Sequence, residues 1–127
     1  PFVNVALSGY SLQKVPVEEN TAGVGAPNVL TAAESRKVLT NEGAAALNYH
    51  TLPTAVAGLV FEVLVVDTDG IRVVAAAGDQ IRVGADISIA AGYLESLGIG
   101  DTLRLIARDE AEWYAAPAVG TWDLEIS

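Results

Sequence analysis

Over most of the chain, apolar and polar residues alternate with a period of two, the spacing of a strand with one buried face. "DTLRLIAR" sets Leu103, Leu105 and Ala107 against Arg104, Ile106 and Arg108, "QIRVG" sets Ile81 and Val83 against Arg82, and "ADISI" (residues 85–89) alternates again. "EWYAAP" and "TWDLEI" read as further strands after short turns. The unbroken apolar run "GLVFEVLVV" predicts a buried strand; Asp69 and Gly70 then supply a primed turn and "IRVVAAA" returns, so a hairpin is expected here. Gly78 and Asp79 mark another turn, and "AAGYLESLGIG" fits a short helix or a loop equally.

The stretch "LTAAESRKVLTNEGAAALNYHTLP" begins with Thr31 and Glu34 at capping-box spacing, followed by β-branched residues. It predicts one capped helical turn, a strand, a tight turn at Asn41, Glu42 and Gly43, and a second strand ending at Pro53. Before it, residues 1–7 alternate weakly, and "KVPVEENTAGVGAPN" carries two prolines and two glycines without helix or strand period. The expected organisation is an extended N-terminal arm and loop over residues 1–28 and a β domain over residues 29–127. Eight or so strands with turns roughly every 8 to 12 residues predict an all-β fold, a small antiparallel β-sandwich or barrel with at most one or two short helical turns.

Composition adds limits. A chain of 127 residues is one domain in size and can bury a core without staples; with no cysteine, packing and backbone pairing must hold it. Seven Lys and Arg against sixteen Asp and Glu give a net charge of −9, which repels a phosphate backbone and makes nucleic acid an unexpected partner. No basic n-region precedes an apolar stretch, and no run approaches the ~20 apolar residues that span a bilayer, so no membrane partner is expected. A chain that opens on Pro and contains no Met fits removal of an initiator Met before Pro1, and a cloning boundary would look the same. Hydrophobic residues make up 51% and aromatics 6%, and the Ala and Val excess predicts that another subunit covers part of the apolar surface.

Candidate chemistry is sparse. His50, the only histidine, sits beside Tyr49 in an alternating strand without motif partners, which favours a scaffold role over acid/base work. None of the six serines lies in a G-x-S-x-G elbow. "DTDG" (residues 67–70) starts like a calcium loop but lacks the later acids, and the turn accounts for it. "GVG" (residues 23–25) is half a dinucleotide fingerprint without its strand. The acids Glu18, Glu19, Asp109, Glu110 and Glu112 fall in turns, where carboxylates are solvated. The expectation is therefore no catalytic residue, no cofactor and no metal site. Trp113, Tyr114 and Trp122 are candidate glycan-stacking or interface aromatics, with core packing as the favoured alternative.

One set of motifs occurs in a recognisable order: "LTAAES" (residues 30–35), "TLP" (residues 51–53), the apolar run at residues 58–66, "GDQIRVG" (residues 78–84), Trp113 with Tyr114, and Thr121 with Trp122. In this order they resemble a small β domain that recurs in virion proteins of tailed bacteriophages, over about the last three quarters of the chain. Such domains occur in capsid decoration (cement) proteins and within tail fibres and spikes. A short chain carrying the domain by itself, with an arm suited to reaching across a partner, tilts the expectation toward the head. The resemblance then implies a protein made in the host cytoplasm and residing on the capsid surface, with the major capsid protein and itself, as a homotrimer, for partners. Phe2, Val3, Val5 and Leu7 are the expected capsid-contact arm, pairing by backbone and selecting by alternate side chains. The alternative is a tail module that binds a host glycan through Trp113, Tyr114 and Trp122; a hydrolase using His50 ranks last.

Overall fold

The computed structural model describes residues 14–127; the expected arm contacts Phe2, Val3, Val5 and Leu7 lie outside them. Twelve strands form in order: β1 Val17–Glu19, β2 Asn28–Val29, β3 Val38–Thr40, β4 Asn48–Thr51, β5 Val60–Leu64 and β6 Ile71–Val74. Then come β7 Gln80–Val83, β8 Asp86–Ile87, β9 Tyr93–Ser96, β10 Thr102–Ala107, β11 Glu112–Val119 and β12 Asp123–Leu124. They make a seven-stranded sheet ordered β1-β3-β5-β10-β11-β7-β8 and a five-stranded sheet ordered β12-β9-β6-β4-β2. The all-β sandwich is as the alternation predicts.

Its pairing is mixed, not antiparallel throughout. β1, β3 and β5 run parallel in the first sheet while β2, β4 and β6 run parallel in the second. Three successive crossings from the first sheet to the second, β1 to β2, β3 to β4 and β5 to β6, build three stacked β-arches. A return crossing from the second sheet to the first, β9 to β10, lies antiparallel on the third arch in both sheets. β10–β11 and β7–β8 are the hairpins.

Several expectations change here. The segments flanking Asp69-Gly70 do not pair with each other: β5 hydrogen-bonds to β3 and β10, and β6 to β4 and β9. Gly70 takes φ +81 but Asp69 stays at negative φ, so this is an arch tip and not a primed hairpin turn. The Asn41-Glu42-Gly43 turn likewise leads across the sandwich, from β3 to β4. Residues 14–28, expected as loop, contribute β1 and the first residue of β2. "AAGYLESLGIG" resolves as strand β9 because Leu94 and Ser96 point inward at a period of two.

The capped turn forms as a single 3₁₀ turn, Ala32–Glu34, where the Thr31 N–H donates to Glu34 Oε1 at 2.9 Å. The core lies between the sheets. Phe61 and Val63 on β5, Leu103, Leu105 and Ala107 on β10, and Trp113 and Ala115 on β11 face Leu52, Ile71, Val73 and Leu94 from the other side. Phe61 and Trp113 meet ring to ring at 6.0 Å.

Candidate functional site

The most organised polar cluster among the described residues lies where the first arch meets the second. His50 is fully buried, because the β4 alternation turns Asn48 and His50 inward and Tyr49 and Thr51 outward. Its Nδ1 accepts a hydrogen bond from Asn28 Nδ2 at 3.1 Å, and its Nε2 donates to Asn48 Oδ1 at 2.6 Å. Asn48 Nδ2 donates to Asn20 Oδ1 at 3.1 Å, Asn20 Nδ2 to Glu18 Oε2 at 2.7 Å, and Asn28 Nδ2 to the same Glu18 oxygen at 2.9 Å. The five side chains close a ring that joins β1 of one sheet to β2 and β4 of the other.

The ring has one consistent direction. An ionised Glu18 only accepts, so Asn20 and Asn28 must both present NH₂ groups to it. Asn28 then offers its second N–H to His50, which fixes Nδ1 as the unprotonated nitrogen and puts the imidazole proton on Nε2. Lys37 holds the carboxylate in that state: its Nζ lies 2.7 Å from Glu18 Oε1 and 2.6 Å from Glu34 Oε2. Burial pushes the Glu18 carboxyl up, but hydrogen bonds from Lys37 and Asn20 outweigh it and leave it below its ordinary value. For His50 desolvation dominates: burial lowers its pKa to about 4, against a smaller upward pull from Glu18. The imidazole is neutral with both nitrogens engaged.

The candidate aromatics separate. Trp113 is 0% exposed and Trp122 is buried beside the core, whereas Tyr114, 44% exposed, points out from the opposite face of β11. They do not assemble into one stacking platform. The outer face of the second sheet carries a different cluster, in which Arg72 lies 3.8 Å from the Tyr93 ring centroid and 5.2 Å from that of Tyr49, and is ion-paired to Glu95 at 2.5 Å.

"DTDG" is an arch tip. Asp67 Oδ1 accepts the Asp69 N–H at 3.0 Å, and the turn is gripped by Asn41, which is fully buried. Asn41 Nδ2 donates to the carbonyls of Asp67 and Gly70 at 3.1 and 3.0 Å, while its Oδ1 accepts the N–H groups of Val66 and Asp67 at 2.9 Å each. Among the described residues, no cluster of three or more His, Cys, Asp or Glu side chains is arranged to hold a metal ion, and no helix is long and apolar enough to cross a membrane.

Sequence reasoning missed the ring. Its visible signal is the i, i+2 spacing of Glu18 with Asn20 and of Asn48 with His50, which puts each pair on one face of extended chain. No protein-family model and no curated protein sequence matches this chain.

Proposed function

We propose that this chain is a structural, non-catalytic virion protein, a trimeric decoration protein that binds the outside of a bacteriophage capsid through its N-terminal residues. The observation that carries the reading is where the apolar side chains remain exposed. Val17 (62% exposed) and Val29 (65%) lie on edge strands β1 and β2, and Val15 lies just before β1. Val15, Val17 and Val29 thus put exposed apolar side chains, among others on the surface, at the edge of the sandwich formed by the first described strands. Edge backbone with apolar neighbours suits strand addition to a partner. A second uncharged stretch, Ala116, Pro117, Ala118 and Val119, is exposed at the end of β11 and offers a small-residue face for neighbouring copies. Pro117 removes a donor from that strand end, which favours side-chain packing over uncontrolled strand pairing. Three arms on one trimer would add by avidity, so each contact can be weak.

The glycan-binding alternative loses its original platform with Trp113 and Trp122 in the core, and no observation favours it over the capsid reading. The test is deletion of residues 1–12. The shortened chain is expected to keep its β-sheet circular dichroism and to stop co-sedimenting with particles that carry the full chain. Undiminished particle binding would reject the arm, and immunogold label confined to tails would reject the capsid location.

A further inference from the structure

The first arch, residues 17–29, is held differently from the other two. β3 is wholly buried, and β5 and β6 send Phe61, Val63, Ile71 and Val73 into the core. The first arch buries no apolar side chain within its strands, since Val17 and Val29 are exposed, as is Val24 between them. Its attachment is polar. A few backbone bonds join it to the second arch, among them Asn20 N–H to Thr40 O at 3.1 Å, Leu30 N–H to Thr51 O at 2.9 Å and Tyr49 N–H to Ala22 O at 2.9 Å. The side-chain ring supplies the remainder. A segment fixed by hydrogen bonds without apolar burial belongs to the low-stability end of a fold.

The ring also has a single point of failure. A second proton on His50 converts Nδ1 from acceptor to donor and aims it at the Asn28 NH₂ group. Rotating the Asn28 amide by half a turn does not repair this, because the same nitrogen serves Glu18, and the rotated amide would set its oxygen against the carboxylate. The groups around the imidazole offer little compensation. β1 presents Glu18, β2 presents Asn28, β4 itself presents Asn48, and β6 sets the uncharged Val73 beside it in register. Glu18 is the charged group that faces His50, and its charge is already shared with Lys37, which also pairs with Glu34.

We propose that the first arch is an acid-released latch: protonation of His50 at Nδ1 breaks the ring, and residues 17–29 detach from β3 and β4 while the two-sheet core stays folded. Release would uncover the edge of β3 in one sheet and of β4 in the other, which the latch strands β1 and β2 cover by parallel pairing and so keep from pairing with other chains. This follows from the ring alone, whether or not the protein resides on a virion.

Amide hydrogen exchange of the full chain, followed by NMR from neutral pH down to about pH 4 and corrected for intrinsic rates, tests it. The amides of Asn20, Leu30 and Tyr49 are expected to exchange through an opening of their own, faster than the core amide of Ala107, which donates to Leu59 O. Below pH 6.5, the ordinary histidine value, that opening should grow by about tenfold per pH unit. In His50→Gln the side chain can still accept from Asn28 and donate to Asn48 without titrating, so the pH slope should vanish. Latch amides as slow as Ala107 at every pH, or an unchanged slope in His50→Gln, would overturn the proposal. Should that variant not fold, the His50 ring resonances of the wild type decide: protonation without faster exchange of the latch amides is equally fatal.

Discussion

Single side chains here set the state of distant ones. The charge on Glu18 dictates the tautomer of His50 through Asn28, with neither residue touching the other directly. Trp113 shows the opposite condition, a large group whose polar atom has been left out. It fills the core between the sheets at 0% exposure, and its indole N–H has no hydrogen-bond partner among the described residues. A buried orphan donor costs about 1 to 3 kcal/mol, so part of what the ring contributes by burial is spent on that nitrogen. Trp113→Ala should therefore lose about 3 to 5 kcal/mol. Trp113→Phe should lose less than half as much, because it removes the orphan N–H along with some volume while keeping a ring against Phe61. Urea unfolding followed by far-ultraviolet circular dichroism measures both, and equal losses would mean that a ring retained against Phe61 packs no better than a methyl group.

At the scale of the element, the unit is the arch, and asparagines organise the tips of the first and the third. The β1–β3 register pairs Glu19 with Thr40, which places Asn20 and Asn41 at equivalent tips. Asn20 makes three partly exposed hydrogen bonds, accepting from the Ala22 N–H and from Asn48 Nδ2 and donating to Glu18, whereas the fully buried Asn41 makes four to the backbone at the tip of the third arch. Asn41→Ala should accordingly cost about 3 kcal/mol or more by stranding buried backbone groups, and Asn20→Ala about 1 to 2 kcal/mol, because the groups it strands are partly open to water. Chemical unfolding of the two variants tests the ranking, and a reversed order would show that the tips are not held this way. The arches also explain what the sequence could and could not reveal. The alternation of Leu103, Leu105 and Ala107 appears directly as β10 facing the core, and the spacing of Thr31 and Glu34 as a capped turn, because both depend on neighbours a few residues away. Asp69-Gly70 between two apolar runs promised a hairpin, yet whether such runs pair with each other or with two other sheets depends on β3, β10, β4 and β9, all remote in sequence. The ring was hidden for the same reason: Glu18, Asn20, Asn28, Asn48 and His50 come together only once two arches stack.

For the whole molecule, the acid excess and the single histidine together shape the response to pH. Four of the seven basic residues, Lys37, Arg72, Arg82 and Arg108, are ion-paired, and the chain carries a net charge of −9 at neutral pH. Mild acid begins to relieve that self-repulsion, a stabilising trend. His50 works against it. Its folded-state pKa, about 4, lies below the ordinary 6.5, so below pH 6.5 the unfolded chain takes up a proton that the folded chain refuses. Stability that is fully present above pH 6.5 is therefore lost as pH falls, by about 1.4 kcal/mol per unit until the latch opens and by no more than about 3 kcal/mol by pH 4. Glu18 and Glu34, both held below their ordinary value of 4.5, extend the loss in the same direction only once the pH drops through the carboxylate range. In the interval from 6.5 down to about 4.5 His50 is the side chain whose titration costs stability, while Asp69, held above its ordinary value by burial and by Asp67, works in the opposite direction. Urea midpoints across this interval should fall steadily in the wild type and stay level or rise in His50→Gln. A wild-type midpoint that rises instead would mean that charge relief exceeds the cost of the buried imidazole, and would require His50 to become protonated in place within an intact fold.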